Sequence, residues 1–283
     1  MKRYAYVNNR LVSEEKATVS VFDRGLNYGH GVFETIKAID GKAAYLKEHL
    51  DRLKNGALAI GIKKGSLRNL FDDIRNNMLQ RLLKANGLGT GQSYIRITIT
   101  SGKDYGTHLL SKNLKPTIII IAKPIDVKMI SSLWRNGVKA LTISGIRPAL
   151  GQIKSLNYLP NVLAKMEAKK KGVYEGIFIT PDGSVLDGAS TNVFIVVKGV
   201  IKTPLTSILS PTGRGRNTGN VLFHNSLSPW GRGKGEGATS PPPLKRGGKG
   251  GLYGGILPGI MRQAVVETAK RNGFKAVEGK VTV

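Results

Sequence analysis

Hydrophobic and polar residues follow regular periods through the first 122 residues, and these periods predict both strands and helices. Alternating apolar positions and turn-favouring pairs indicate a hairpin over Tyr4 to Val12 and strands over Ser93 to Thr100 and Thr117 to Ala122. Apolar residues spaced by three or four indicate helices over Tyr45 to Ile60 and Ser66 to Leu83, the second with a serine N-cap. Residues 1–122 are therefore predicted to form a small α/β domain.

The second half of the chain repeats this mixture of periods after a predicted interdomain connection at residues 123–136. The predicted elements are a strand at Val138 to Ile143, a helix at Leu159 to Lys171 ended by Gly172, strands at Val173 to Ile179, Ser184 to Leu186 and Asn192 to Val197, and a helix from Pro258 to about Asn272. Residues 137–283 are thus predicted to form a larger, β-rich domain.

Residues 206–253 interrupt these periods with a segment rich in Gly, Pro, Ser and Arg. Such a composition buries too little apolar surface to offset the entropy lost on ordering the chain, so we expect a disordered insertion of foreign sequence. An arginine- and glycine-rich tail that binds nucleic acid is the alternative. The scarcity of aromatic residues for base stacking in the segment disfavours it.

Composition narrows the class of protein. With 283 residues, 40% hydrophobic and 22% charged, the chain is typical of a soluble globular protein with room for two cores. It has no apolar run of membrane-spanning length and no signal-peptide core in its first ten residues, so we expect a cytoplasmic protein with no membrane contact. The chain has no Cys, and we predict no metal site. The net charge of +26 comes from scattered lysines, which favours a generally basic surface over nucleic-acid binding.

One lysine stands at a junction where it could do chemistry. The stretch Gly151 to Lys165 reads GQIKSLNYLPNVLAK, and Lys154 lies between a polar turn and a helical period. A lysine buried there beside another cation would lose its proton near neutral pH and become a nucleophile. From spacing alone, a solvated lysine on a basic surface is the favoured interpretation, because Lys154 is one of 44 Lys and Arg residues.

The string around Lys154 resembles the lysine segment of the class IV (fold type IV) aminotransferases, which depend on pyridoxal 5′-phosphate (PLP). That family includes branched-chain and D-amino-acid aminotransferases and aminodeoxychorismate lyase. Further stretches resemble the family in the same order: RGLNYGHGVFET at Arg24 to Thr35, HLDRL at His49 to Leu53, YIR at Tyr94 to Arg96, LDGASTNVF at Leu186 to Phe194 and GILPGIMR at Gly255 to Arg262.

The resemblance implies an α/β (α+β) fold with two domains and PLP between them. It implies the transfer of an amino group between an amino acid and a 2-oxo acid. It also implies a homodimer in which each site borrows residues from the partner.

At the cofactor, the resemblance assigns roles to three residues. Lys154 would form the Schiff base with PLP and then shuttle the substrate Cα proton. Asp187 would face the pyridine nitrogen, although the family usually has Glu there and Asp is shorter by one methylene. Tyr158 would touch the phenolate oxygen.

The cofactor phosphate is expected to bind Arg52, because a guanidinium fork matches phosphate oxygens, and the backbone at the start of the last helix. That backbone comprises Leu257, Ile260 and Met261, where Met261 replaces a common Thr and loses its hydroxyl contact. For the substrate, the resemblance and the glycine-rich stretch indicate Tyr28, Phe33, Thr35 and Arg96.

Two departures from the family pattern concern activity. Besides the insertion, the sequence stops at Val283 before a further strand and a phosphate-binding turn expected in the family. We therefore expect the larger domain to be incomplete, PLP retention to be weak and turnover to be low, so that a non-catalytic remnant is one alternative function.

The substrate signals point two ways. The lysine segment favours the branched-chain and D-amino-acid enzymes, whereas Thr35 after Phe33 and Glu34 favours aminodeoxychorismate lyase. We predict an aminotransferase of branched-chain type, with the lyase and the D-amino-acid aminotransferase as alternatives.

Overall fold

The structure is a computed structural model, and it describes residues 3–144, 153–204 and 256–282. The predicted insertion at residues 206–253 lies outside the described residues, so the prediction about it stays a prediction.

The N-terminal part of the chain folds around one sheet. Its strands are β1 (Tyr4–Val7), β2 (Arg10–Ser13), β3 (Gly31–Ile39), β4 (Lys42–Ala43), β5 (Gln92–Thr100) and β6 (Thr117–Pro124), in the spatial order β2-β1-β6-β5-β3-β4. Neighbouring strands are antiparallel. The β1–β2 turn has positive φ at Asn8 and Asn9, as the predicted hairpin requires.

Helices cover one face of this sheet. A short helix, α1 (Arg24–Tyr28), precedes β3. The helices on the covered face are α2 (Leu46–Ala59), α3 (Leu70–Asp73) and α4 (Leu79–Ala85), with a π-helical turn (Ile74–Met78) joining the last two. The alternation on the strands puts Ile36, Ile95 and Ile97 on the helix side, where they pack with Leu53 and Leu82 in one cluster. Each such side chain contributes roughly 1.5–3 kcal/mol by leaving water, so this cluster fixes the strands that carry site residues.

The predicted start of the second helix is wrong. Ser66 lies in a short 3-10 turn (Lys64–Leu67) and makes no side-chain cap. The chain leaves helical geometry at Asn69, whose φ of 62° is left-handed, and α3 starts at the next residue. The apolar period continued through this break because the turn and the helix bury the same side of the chain.

The C-terminal part forms two smaller sheets in the residues that the structure describes. Its elements are α5 (Val127–Asn136), β7 (Ala140–Ile143), α6 (Leu159–Lys170), β8 (Glu175–Ile179), β9 (Val185–Gly188), β10 (Ile195–Val197), β11 (Val200–Pro204), α7 (Ile260–Arg271) and β12 (Ala276–Gly279). The sheets have the orders β7-β8-β9 and β10-β11-β12. Strands β7 and β8 are parallel, as are β11 and β12, and parallel neighbours need a crossover. Helices α6 and α7 lie within these crossovers.

Several boundaries differ from the predictions. Strand β6 runs to Pro124, so residues 123–124 belong to the sheet, and the rest of the predicted connection contains α5. Helix α5 forms because the Asp126 side chain accepts a hydrogen bond from the Met129 amide at its N-terminus. Pro258 precedes the N-cap Gly259 instead of opening α7. Helix α6 ends as predicted, with Gly172 at φ 66°.

Candidate active site

The Lys154 segment is held by backbone hydrogen bonds to the edge of β3. The Phe33 amide donates to the Lys154 carbonyl at 2.9 Å, and the Leu156 amide donates to the Gly31 carbonyl at 2.9 Å. Ser155 forms a bridge with Val32 between them. The lysine is therefore fixed to the six-stranded sheet, although it belongs to the C-terminal part of the chain.

The surroundings of the Lys154 amine favour its neutral form more than water does. Its Nζ lies 4.6 Å from the centre of the Phe33 ring and 5.8 Å from that of Tyr158. Burial lowers the pKa of Lys154 to about 8, and the nearby Arg52 guanidinium acts in the same direction against the opposing charge of Glu34. A substantial fraction of this amine is unprotonated at mildly alkaline pH, which is the state needed for a nucleophile or a general base.

Arg52 is held by a buried carboxylate that the sequence did not reveal. Glu34 accepts from Arg52 Nε at 2.6 Å and from Nη2 at 2.8 Å, and its Oε2 lies 2.7 Å from His49 Nδ1. Burial alone would raise the pKa of Glu34, but the hydrogen bonds from Arg52 and His49 outweigh it and keep that pKa below its ordinary value. Arg52 Nη1 also donates to the Pro258 carbonyl at 2.7 Å, which ties α2 to the start of α7.

The start of α7 offers backbone donors beside Arg52. The first amides of any helix have no intrahelical partner, and the N-cap residue here, Gly259, has no side chain to accept from them. Leu257 is half-buried, Ile260 is buried and Met261 is exposed. A side chain at Gly259 would collide with Asn192, because an added Cβ would lie 2.6 Å from Asn192 Oδ1. This close packing brings bare backbone next to a guanidinium, which suits a phosphate group.

Asp187, near the end of β9, has a buried carboxylate oxygen that is available to accept a hydrogen bond. Among the described residues, its buried Oδ1 has no hydrogen-bond partner, and Nη1 of Arg262 lies 4.0 Å away. Burial raises the pKa of Asp187 to about 6, although the charges of Arg262 and Lys154 act against the rise. A buried acceptor without a donor is what a protonated ring nitrogen would satisfy.

Tyr158 precedes α6 and packs edge-on against Phe33, with the ring centres 5.3 Å apart. Its hydroxyl donates to the Ala189 carbonyl at 3.0 Å, and Asn161 Nδ2 donates to the same oxygen at 2.7 Å. Burial raises the pKa of Tyr158. The predicted contact with a cofactor oxygen therefore requires the hydroxyl proton to turn away from Ala189.

Three of the predicted substrate residues lie together on the face of the sheet that α2 does not cover. Thr35 and Arg96 are cross-strand partners, and the Arg96 guanidinium carbon lies 3.8 Å from the centre of the Phe33 ring. Arg96 Nε also donates to Thr98 Oγ1 at 3.3 Å. Because Lys154 Nζ faces the same Phe33 ring, a carboxylate bound by Arg96 would lie near the lysine.

The structure does not bring the fourth predicted substrate residue into this group. Tyr28 is 43% exposed and contacts His108, with the ring centres 5.8 Å apart. It lines a separate cavity of about 220 Å³ together with His30 and Asn157, and Lys154 is not part of the lining.

Sequence reasoning missed Glu34, His49 and Arg262. A signal was present for the first two: Glu34 occupies a core-facing position of β3, and His49 is three residues from Arg52 on α2 and shares its face. An ionisable residue at a core position needs a buried partner. No comparable signal marks Arg262, whose carboxylate neighbours come from β9 and β12.

The described residues lack two other features: clusters of metal-ligating side chains and helices able to span a membrane. Within ranges 3–144, 153–204 and 256–282, there is no group of three or more metal-ligating side chains. In the same ranges, every helix is too short or too polar to cross a membrane.

Comparisons with known proteins identify the family of the chain. The family model described as amino-transferase class IV matches residues 31–216. A putative branched-chain-amino-acid aminotransferase of Methanocaldococcus jannaschii is 34% identical over 98% of this chain and 78% of its own. A D-alanine aminotransferase of Staphylococcus epidermidis is 38% identical over 70% of this chain and 67% of its own.

Solved structures give the same answer for the fold. The branched-chain aminotransferase of Thermoproteus uzoniensis with norvaline has a TM-score of 0.70 at 25% identity, over 100% of this chain and 79% of that one. A fold IV transaminase of Curtobacterium pusillum has a TM-score of 0.68 at 20% identity, over 96% and 77%. The predicted fold class is confirmed.

Proposed function

Because this chain belongs to the class IV aminotransferase family, we propose that it uses PLP to move an amino group between a branched-chain amino acid and a 2-oxo acid. The single observation that carries the proposal is the environment of Lys154. Its amine is desolvated, lies near Arg52 and Arg96, and is fixed by backbone bonds to β3.

The residues around Lys154 fit the cofactor. The backbone at Ile260 and Met261 and the Arg52 guanidinium supply donors for a phosphate, and the unfilled Oδ1 of Asp187 supplies an acceptor for a ring nitrogen. Bound there, PLP supplies the electron sink for the electrons released when the substrate Cα proton leaves. Arg52 is kept oriented by Glu34, so the phosphate donor is in place before any ligand arrives.

Each residue then has a task in the reaction. Lys154 Nζ would hold the cofactor until the substrate amine displaces it. The freed amine, for which the lowered pKa suits it, would then take the Cα proton as general base and deliver it as general acid to the cofactor carbon that had been bonded to Nζ. Asp187 stabilises positive charge at the ring nitrogen. Arg96 pairs with the substrate carboxylate, and its stacking on Phe33 orients the guanidinium. Tyr158 closes the site beside Phe33.

Two observations support a branched-chain substrate. Phe33 and Tyr158 place aromatic surface beside Lys154, which suits an apolar side chain. The relative from Methanocaldococcus jannaschii that matches 98% of this chain is named a putative branched-chain-amino-acid aminotransferase. A D-amino-acid substrate is the second candidate, since the relative from Staphylococcus epidermidis is a D-alanine aminotransferase.

We further propose the organisation expected from the sequence, with the first boundary moved from residue 122 to the end of β6: a small domain (1–124), a connection (125–136), a larger domain (137–283) with PLP between the two, and a homodimer in the cytoplasm. The hydrogen bonds from Phe33 to Lys154 and from Arg52 to Pro258 support the position of the cofactor between the two proposed domains, because both bonds join them beside Lys154.

The proposal is tested with the full chain and added PLP. With 2-oxoglutarate as acceptor, we expect L-leucine and L-valine to give glutamate and D-alanine to give none, while Lys154→Ala abolishes turnover. Turnover of D-alanine alone would instead establish the second candidate. Absence both of turnover and of near-visible absorbance that depends on Lys154 would identify a non-catalytic remnant.

A further inference from the structure

The first turn of α7 contains a buried cation with no task in the scheme above. Arg262 is 1% exposed, its Nη1 lies 4.0 Å from Asp187 Oδ1, and its Nε lies 3.4 Å from Glu278 Oε1. Asp187 belongs to β9 and Glu278 to β12. One guanidinium thus lies between two carboxylates that come from different sheets.

We propose that Arg262 is a positioning residue that keeps the Asp187 carboxylate ionised and directed at the cofactor's ring nitrogen. This inference rests on the proposed function and deepens it. The same helical turn would then serve both ends of the cofactor, because the amides at Ile260 and Met261 would donate to the phosphate while Arg262 lies beside the carboxylate proposed for the ring nitrogen.

The chemistry requires such a partner. A carboxylate in an apolar site takes up a proton, and a protonated acid cannot stabilise a positive ring nitrogen. Burial raises the pKa of Asp187 to about 6, and the charges that oppose the rise are Arg262 from α7 and Lys154 from the β3 edge. Since the Lys154 amine is itself partly neutral near pH 8, Arg262 is the cation with a permanent charge.

Glu278 adjusts this effect from the far side of Arg262. Its carboxylate pairs with the guanidinium at Nε, whereas the contact to Asp187 is made by Nη1. A purely structural Arg262 would join α7 to β9 and β12 without changing how Asp187 titrates.

The test measures that titration in the cofactor-free full chain. The side-chain carboxyl carbons of aspartate are ¹³C-labelled, and the Asp187 resonance is identified by its loss in Asp187→Asn. In Arg262→Gln we expect the pKa of Asp187 to rise above that of the wild type, because a cation has been removed. Arg271→Gln is the matched control on the same helix: its exposed guanidinium contacts Glu267, and we expect no change.

A second variant covers the case in which Arg262→Gln does not fold. In Glu278→Gln the competing negative charge is lost, so we expect the pKa of Asp187 to fall. With PLP bound, ¹⁵N labelling of the cofactor should show a less protonated ring nitrogen in Arg262→Gln. An Asp187 pKa that is unchanged in the foldable variants, or that changes equally in Arg271→Gln, overturns the inference. Failure of the proposed function appears separately, as a shifted Asp187 titration in a chain that transfers no amino group.

Discussion

The two halves of the described chain differ in how they bury apolar residues. In residues 3–124, side chains such as Ile36, Leu82 and Ile95 are fully buried in one continuous cluster between the six-stranded sheet and its helices. In the C-terminal half, the clusters around Phe178 and Val266 are small. Helix α6 leaves an apolar stripe exposed in the described structure: Leu159 (65%), Val162 (48%), Leu163 (42%) and Met166 (51%).

This difference shows which half of the chain holds the site residues in position. Phe33 and Arg52 stand on elements fixed by the large cluster, and each reaches across to the C-terminal half by a short hydrogen bond. Lys154 takes its position from β3 rather than from its own half of the chain. The N-terminal half therefore provides the frame, and the C-terminal half contributes reactive groups that are ordered against it.

The largest expected effect comes from removing the Lys154 side chain, which belongs to the C-terminal half but is held by β3 of the N-terminal half. Lys154→Ala should lower kcat by at least about 10²- to 10⁴-fold, the range typical of losing a general acid–base group. Steady-state assays with PLP measure it, and Lys170→Ala, an exposed lysine on α6, is the control. An equal loss of kcat in both variants would mean that Lys154 is not the catalytic lysine.

The next prediction tests the contrast in packing directly. Leu82→Ala should lower the free energy of unfolding by about 2–5 kcal/mol, because it opens a cavity in the large cluster. Leu163→Ala on the exposed stripe of α6 should change it by less than about 0.5 kcal/mol. Urea denaturation measures both. A large loss for Leu163→Ala would show that the stripe is covered in solution.

A third prediction concerns the carboxylate of Asp187, whose burial in the C-terminal half lowers the stability of the folded protein at neutral pH. The folded-state pKa of Asp187, about 6, lies above its ordinary value of 3.8, so its contribution to stability is fully present below pH 3.8 and is lost as the pH rises through 6. Asp187→Asn should therefore stabilise the cofactor-free protein at pH 7 by about 1–3 kcal/mol relative to the wild type and abolish turnover.

Urea denaturation at pH 4 and pH 7 measures the gain at Asp187, which should be small at the lower pH. Asp72→Asn, at an exposed carboxylate, is the control. A loss of stability in Asp187→Asn at pH 7 would contradict the effect of burial.

The smallest expected effect concerns Glu34, the residue of the N-terminal half that anchors Arg52. Glu34→Gln weakens the bidentate anchor of Arg52, so the affinity for PLP should fall by roughly tenfold, the equivalent of one charge-assisted hydrogen bond. Fluorescence titration with PLP measures it, and Glu48→Gln, an exposed residue of α2, should leave the affinity unchanged.

A pH series adds a check on the same residue. The pKa of Glu34 lies below its ordinary value of 4.5, so its stabilising effect is present above pH 4.5 and is lost as the pH falls through the folded-state pKa. In that acidic range, the difference in the free energy of unfolding between the wild type and Glu34→Gln should disappear.

The sequence predicted most of the elements and the chemistry of the main residue. The bounds of α2 and β5 were within a residue of the prediction, because long segments with a clear period leave few alternatives. The start of α3 and the helix in the connection were missed, since they depend on the backbone at Asn69 and on the cap by Asp126. The membership of the family was also predicted, because motifs such as the one around Lys154 are local strings.

The sequence by itself therefore determined which faces of the helices and strands are apolar, and it named the residues that are candidates for the chemistry. Only the tertiary structure decided that Arg52 is anchored by Glu34 and bonded to Pro258, and that Arg262 faces Asp187. These partners are far apart in the sequence, and a period specifies a face but not the group opposite it. The charge state of a buried side chain depends on that opposite group, so the pKa of Lys154 became visible only when the chain was folded.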